Sequence, residues 1–521
     1  AQTIISILPF VRSLLPSFLD VTLCVPMTAP DIKGNKNKGQ NGRSLPVAFD
    51  RMALPRSLLR FVVATVVVFV STNSSCSKYE PDGTVLMKNV EALSTRRKSS
   101  SRPRRTTKVS TISSSPSLHI TLQNSFTPQS ILQDVAVRLT PEMDPKGTLS
   151  SLTLVRLSKQ WIALDNARVM KDEPGDLVHA KSKDTNNYES LVAQGLNSAI
   201  QCLSSSNWIE SPQTLESAVE GIKALAVILR LFHRNEIMLD DFDGHQTQGE
   251  KRLQIPLLTK LHVDGQRLAP FLQSHQLSGL KWALDCFRVS LNASSNEYED
   301  HLELCQLPTD IQVAYDNLDL PFCIRPGFFS AHDLCVSDFV QHVDFQVDTI
   351  RTASNRTITE RRQTAWQGDE HVAPFSYSGK SMERSSWTPI VERIRDRLNE
   401  ETFQYYDGCL LNLYPDGGSG MNYHVDPDQG TLWGYETAVV SVGATRRFAF
   451  RRIQQTNETT NDGSKPHVFV LMSGDVTEML GDCQQLFQHT VKTADQKSEK
   501  APRVSLVFKK TMERMRTKIE N

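Results

Sequence analysis

Apolar positions along this chain follow two different periods. Leu215, Ala218, Val219, Ile222, Leu225, Ala226 and Leu229 recur at steps of three and four, the spacing that puts them on one face of an α-helix. Leu277, Leu280, Leu284, Phe287 and Leu291 repeat the pattern, and Leu191, Ala199, Ile200 and Leu203 suggest a further helix. Residues 130–300 therefore read as an all-α region of helices in series, with no fixed repeat period. These stripes are core and carry no chemistry; they assign the region no role, and docking of a protein partner is one reading of it. From about residue 315 the texture changes. Short β-rich runs (Phe403–Leu413, Thr437–Ser441, Arg447–Phe450, His467–Met472 and Arg503–Phe508) lie between turn signals such as Ser473-Gly474-Asp475, after one clear helix at Ile390–Leu398. Strands gathered around a central site predict a double-stranded β-helix, a jelly-roll type of sandwich, over residues 315–512. The fold class is α+β: an all-α domain followed by this β domain.

The first 125 residues have neither period. Gly, Asn, Lys and Ser dominate around residues 32–44, and Arg96, Arg97, Lys98, Arg102, Arg104, Arg105 and Lys108 fall in a Ser/Pro-rich stretch with no acid among them. Such a segment cannot bury enough apolar surface to offset its chain entropy, so disorder is expected. The basic stretch suits a nuclear-import signal or a nucleic-acid-binding arm, against a solvated linker or part of a targeting peptide. The nucleus is the expected compartment. The alternative is organelle or secretory targeting through the apolar run Phe61–Val70, which has the length of a signal-peptide core. Spanning a bilayer takes about 20 apolar residues, so no stable membrane insertion is expected. Formal net charge is zero over 521 residues, so any attraction to nucleic acid must be local. The nine cysteines form no CxxC pair, which argues against a disulfide framework or a cysteine zinc site and for a reducing, intracellular setting.

The chemistry concentrates in His424, Asp426 and His489. His-Val-Asp is followed by a further histidine 63 residues past the aspartate. Two imidazoles and a carboxylate on one side of an octahedral metal leave three positions open, the arrangement of non-haem Fe(II) oxygenases. An HxD tripeptide alone is common; its flanks raise it. Two residues apart on a strand, His424 and Asp426 share one face, and the Gly474-Asp475 turn lets the chain fold back to supply His489. A metal that binds a keto acid also needs an anchor for the far carboxylate. Arg503, opening the strand Arg503-Val-Ser-Leu-Val-Phe-Lys509, has the planar fork for it. The other histidines, His467 included, read as structural.

Asn412-x-Tyr414-x-x-Gly417, His424-x-Asp426, His489 and Arg503-x5-Lys509, with Ser441-Val-Gly-Ala-Thr-Arg-Arg-Phe-Ala-Phe-Arg451, together resemble the AlkB family of Fe(II)/2-oxoglutarate dioxygenases, most closely its eukaryotic nucleic-acid repair branch. The resemblance covers about 315–512. It implies that His424, Asp426 and His489 hold Fe(II), that Asn412 and Tyr414 hydrogen-bond 2-oxoglutarate and that Arg503 pairs with its carboxylate. O₂ is the other cosubstrate. The family carries a second arginine where this chain has Lys509. Lysine keeps the charge and loses the fork, so a cosubstrate contact there is expected to be weaker. The charged run Lys492–Lys500 reads as a flexible loop.

Arg361-Arg-Gln-Thr-Ala-Trp366, followed by Phe375-Ser-Tyr377-Ser-Gly379, resembles the family's nucleotide-recognition lid. An enzyme acting on a base must take it out of the stack and hold it between flat groups. Tyr377 and the ring of His424 are the expected faces, and Asp428 matches the acid that meets the base's polar edge. Phe375 and Trp366 are candidate substrate contacts or lid core. Arg361, Arg362, Arg446, Arg447, Arg451 and Arg452 are candidates for a phosphate track. The implied activity is oxidative removal of N-methyl groups from DNA or RNA, with release of formaldehyde, succinate and CO₂. Two alternatives stand beside it: an RNA- or protein-modifying oxygenase of the same family, and a non-catalytic binding module built on the helical domain.

Overall fold

A computed structural model describes residues 127–169, 185–235, 253–292, 302–351, 355–454, 465–497 and 499–512. The expectations for residues 1–125, the basic stretch and the run Phe61–Val70 among them, lie outside the described residues. No helix among the described residues is long and apolar enough to cross a membrane.

The first part is helical: α1 (Pro128–Arg138), α2 (Thr148–Val169), α3 (Thr185–Ser205), α4 (Pro212–Arg234), α5 (Ile255–Leu268) and α6 (Ser274–Asn292). Local sequence starts α4 cleanly. The Ser211 side chain accepts from Thr214 N, the Thr214 hydroxyl accepts from Ser211 N, and Pro212 takes the first helical position, where its missing N–H costs nothing. All seven residues of its apolar stripe are buried. Two shorter helices follow, α7 (Thr309–Asp316) and α8 (Val336–His342); α9 (Pro389–Thr402) comes later, ahead of the main strands.

The strands that open the β domain are β1 (Phe322–Arg325), β2 (Thr349–Arg351), β3 (Thr357–Thr359), β4 (Gln363–Gly368), β5 (Phe375–Tyr377) and β6 (Lys380–Met382). The main run is β7 (Gly408–Tyr414), β8 (Met421–His424), β9 (Trp433–Gly443), β10 (Arg446–Arg452), β11 (His467–Leu471), β12 (Val476–Met479), β13 (Phe487–Val491) and β14 (Arg503–Thr511). They pair antiparallel into a six-stranded sheet, β1-β12-β9-β14-β7-β4, and a four-stranded sheet, β11-β10-β13-β8. β2–β3 and β5–β6 are separate hairpins. Alternation along β9 divides the two sides of the large sheet. Val439 joins the cluster of Phe448, Phe450 and Phe469 from the small sheet. Ala438, Val440 and Val442 join Phe339 of α8 and Val391 of α9. Two antiparallel sheets with their apolar sides gathered over one core match the expected double-stranded β-helix.

That core does not stop at the sandwich. The cluster holding Phe448 and Phe469 also holds Leu225 of α4 and Leu284 of α6, and Trp282 meets Phe469 edge-on at 6.1 Å. Helices and strands thus bury one another across the boundary near residue 300. Polar joins fix the register of the contact. Asn166 on α2 accepts from Thr445 N at 2.7 Å and donates to Thr445 O at 3.2 Å. Ser278 and His467 meet at 2.7 Å; burial pushes this histidine down to about 4, consistent with a structural role.

The strongest join is ionic. Arg230 of α4 grips Asp475 with both arms of its fork, at 2.9 and 2.6 Å, with the side chains 6% and 0% exposed. Asp475 closes the turn from β11 to β12 and also accepts from the backbone N–H of Gly327 and Met472, each at 2.8 Å. Gly474 makes the turn with φ +91°, and a Cβ there would lie 2.1 Å from Phe329 O, so no other residue fits. Removing one partner of a buried pair leaves the other charge uncompensated. Arg230→Ala is therefore expected to lower stability in urea unfolding by about 3–5 kcal/mol. Arg447→Ala, which breaks a solvent-exposed pair with Asp495, should cost about 1 kcal/mol or less. Equal, small losses in both variants would show that the helical layer does not depend on the buried pair.

Candidate functional site

Antiparallel pairing of β8 with β13 sets His424 directly opposite His489, and the two imidazole centroids lie 4.2 Å apart. Phe448 of the neighbouring strand stacks on the His489 ring at 5.7 Å and 10°, so packing fixes that ring's plane. The His424 Nδ1 sits 2.9 Å from Asn422 O. In the neutral ring that contact requires the proton on Nδ1 and leaves the Nε2 lone pair free.

Asp426 departs from the sequence expectation. β8 ends at His424, so the aspartate does not share a strand face with the histidine. The chain leaves the sheet, and Gln484 catches it: its Oε1 accepts from Asp426 N at 3.0 Å. The carboxylate then returns to the histidines. Oδ1 lies 3.6 Å from His424 Nε2 and 3.5 Å from His489 Nε2, and one ligand atom from each residue falls within 4.8 Å of the others. Oδ2 points away, accepting from Lys509 Nζ at 2.7 Å. Burial opposes the Asp426 charge, but Lys509 and both imidazoles outweigh it and hold the carboxyl well below its ordinary range. Burial, then His424, pushes His489 down. An ionised carboxylate and a neutral imidazole are the forms a metal takes up.

A second set of groups lies on the large sheet. Arg503, fully buried at the start of β14, donates to Ser441 Oγ at 2.6 Å and Ala444 O at 3.1 Å. Its Nε finds no partner among the described residues, nor do Asn412 Oδ1 and Ser505 Oγ. Register aligns these groups: Ser505 pairs with Asn412 and Arg503 with Tyr414. Burial, with Arg446 adding repulsion, pushes the Arg503 guanidinium down to about 10. A buried cation without a bonded acid, next to unsatisfied polar atoms, is a cradle for a small anion. Two imidazoles and a carboxylate suit Fe(II), and this cradle suits the far carboxylate of 2-oxoglutarate, so the residues present fit both groups.

Lys509 was expected among the cosubstrate contacts. It is 1% exposed and bonded to the Asp426 carboxylate. With its amide oxygen turned inward, Gln429 also accepts from Lys509 Nζ, at 2.9 Å. A single ammonium on a long stem reaches one oxygen of Asp426 and leaves the other free.

The lid residues divide. Trp366 and Phe375 are 2% and 1% exposed; their ring centroids lie 4.9 Å apart, and 5.2 and 5.7 Å from that of Trp433. Their faces are engaged with one another, so the expected substrate contacts are instead the lid's core; short hairpins need such a body. Tyr377 is half-buried, its hydroxyl donating to Glu360 at 2.7 Å. Asp428 is exposed and left-handed at φ +57°, held there by its own carbonyl, which accepts from the N–H of Thr431, Leu432 and Trp433. Strained backbone of this kind concentrates at functional sites.

The expected arginine track is interrupted. Arg446 is buried against Glu499 at 3.0 Å, and Arg362 is held by Glu360 at 3.1 Å. Arg361, Arg451 and Arg452 are exposed. Two described residues of the run Lys492–Lys500 are tied to Gly417: Ala494 N donates to Gly417 O at 2.8 Å, and Gly417 N donates to Glu499 O at 2.6 Å. Gln484, Gln429 and Glu360 escaped sequence reasoning because each acts on a residue far away in the chain or through a turn. Ser441 lay inside the quoted SxG stretch, the one signal available.

The family model of the 2OG-Fe(II) oxygenase superfamily matches residues 324–518. Uncharacterized protein R406 of Acanthamoeba polyphaga mimivirus is 30% identical over 158 residues, 30% of this chain and 77% of that protein. Human DNA oxidative demethylase ALKBH2 is 29% identical over 151 residues, 29% of this chain and 57% of its own length. Human alpha-ketoglutarate-dependent dioxygenase alkB homolog 3 is 29% identical over 193 residues, 36% of this chain and 65% of its own. The chain thus spans less than two thirds of either human relative. On the histidine–aspartate–histidine site, the two-sheet fold and these matches, the chain belongs to the 2OG-Fe(II) oxygenase superfamily, among its AlkB-like members.

Proposed function

We propose that this protein is an oxidative dealkylase that removes N-methyl groups from nucleic-acid bases, DNA or RNA, with 1-methyladenine and 3-methylcytosine as typical substrates. The observation that carries the reading is the convergence of His424, Asp426 and His489 within 4.8 Å, on the same sandwich as a buried arginine with no bonded acid. The printed name of the human relative ALKBH2, a DNA oxidative demethylase, supports nucleic acid as the polymer.

Bound Fe(II), with 2-oxoglutarate and O₂, would supply the oxidation that hydroxylates the N-methyl carbon, after which the hemiaminal collapses to formaldehyde and the unmodified base. The protein's part is to hold and orient. His424 and His489 would hold the metal through Nε2 and Asp426 through Oδ1. Arg503 takes the far carboxylate, with Asn412 and Tyr414 beside it. A base turned out of its stack would lie between Tyr377 and the ring of His424, its polar edge toward Asp428. The Trp366–Phe375–Trp433 cluster keeps the lid side dry.

Purified protein with Fe(II), 2-oxoglutarate and an oligonucleotide carrying 1-methyladenine or 3-methylcytosine should release formaldehyde and restore the base. Succinate without base repair would move the substrate elsewhere. His424→Ala should lose turnover and, by calorimetry, Fe(II) affinity together; full activity in that variant would remove the iron assignment. Lys509 holds the far oxygen of a ligand carboxylate, and such supporting contacts are worth about 10–100-fold in metal affinity or activity. Lys509→Met should show a loss of that size, largely restored in Lys509→Arg. Unchanged metal affinity and turnover in Lys509→Met would mean that the contact is idle.

A further inference from the structure

The lid is built from hairpins with three-residue strands, and β3 is exposed along its whole length. The Trp366–Phe375–Trp433 cluster packs beside Tyr377 but includes no residue of β2–β3. What ties the lid together is a buried polar node. Glu360 and Lys380 are each 9% exposed. Glu360 accepts from the Tyr377 hydroxyl at 2.7 Å through Oε2 and from Arg362 Nε at 3.1 Å through Oε1. Lys380 Nζ lies 2.5 Å from Thr364 Oγ1, 2.6 Å from Asp348 Oδ2 and 3.5 Å from Glu360 Oε2. Backbone bonds close the ring of contacts: Glu360 N donates to Asp348 O at 2.8 Å, and Arg351 N to Ser378 O at 3.0 Å. One carboxylate and one ammonium therefore join β2–β3, β5–β6 and β4.

Burying charges is costly, and a buried ion pair adds little net stability over apolar residues of the same size. It does fix one arrangement, because breaking it strands a charge. Burial pushes the Tyr377 phenol up, against the opposing pull of Arg362, so the hydroxyl keeps the proton it donates. We propose that Glu360 and Lys380 are positioning residues for substrate recognition: they anchor Tyr377 by its hydroxyl, so that the aromatic face is presented to the base at a fixed tilt. This rests on the dealkylase reading, in which Tyr377 meets the base; the tether itself does not. A phenylalanine would have the same ring and no anchor.

Two measurements on the full chain separate the claims. Hydrogen exchange of the protein without nucleic acid reads the tether. Glu360→Gln and Lys380→Met should speed exchange across residues 375–382 and leave β13 protected as in the wild type. Fluorescence anisotropy with a single-stranded oligonucleotide carrying one 1-methyladenine, under anaerobic Fe(II) and 2-oxoglutarate, reads recognition. Glu360→Gln and Tyr377→Phe should each weaken binding by about 10–100-fold, the range for a buried hydrogen bond to a charged group. The double variant should be no weaker than either, as expected for one shared interaction. Unchanged exchange would overturn the tether, and looser exchange with intact affinity would overturn its part in recognition. If Glu360→Gln does not fold, Tyr377→Phe, which loses a single oxygen, carries both measurements. A wild type that binds methylated and unmethylated strands alike would defeat the dealkylase reading and recognition with it, while exchange would still decide the tether.

Discussion

The site depends on one carboxylate kept ionised where water is scarce. Asp426 lies beyond the end of its strand, so its backbone has no place in the sheet ladder. Gln484 fixes its backbone, Lys509 takes Oδ2, and two imidazoles face Oδ1. Removing a charge from water costs several kcal/mol unless partners replace the solvent. Here they do, and their geometry makes the two oxygens unequal. One is tied to Lys509 and one faces the imidazoles, so the carboxylate would offer a metal a single donor atom.

The rest of the fold keeps that arrangement still. The small sheet places His424 opposite His489, and the large sheet brings Arg503, Asn412 and Lys509 in from β7 and β14. The helical layer braces the small sheet at its β11 edge, through Arg230 at the β11–β12 turn and Ser278 at His467. It shares the sandwich's core instead of hanging from it as a separate module. A mispositioning of about 1 Å is enough to damage catalysis, so a site shared by two sheets gains from a third layer that prevents their sliding.

Much of this was legible in the chain. Helical stripes and short alternating runs gave the order of layers, because they report which side of an element is buried. The meeting of His424, Asp426 and His489 and the inward place of Arg503 were legible, because metal and cosubstrate chemistry restrict residue type and spacing. What was not legible depends on where elements end and on which charges find each other. Asp426 was expected on a strand that stops two residues short of it. Lys509 was assigned to the cosubstrate because its alignment with an arginine says nothing about reach. Trp366 and Phe375 stood open between substrate contact and lid core, since a sequence does not reveal that Trp433 covers them. Glu360 and Lys380 sit among ordinary surface-like charges and give no periodic signal.

The most direct test of the site is equilibrium binding of 2-oxoglutarate to the full chain, without oxygen, in the presence and absence of Fe(II). If the triad holds the metal and Arg503 the far carboxylate, one equivalent should bind tightly with Fe(II) and develop a visible charge-transfer absorption. Without the metal, binding should be far weaker and the absorption absent. Equal affinity in both conditions, or no binding in either, would contradict a metal-centred cosubstrate site built on His424, Asp426 and His489.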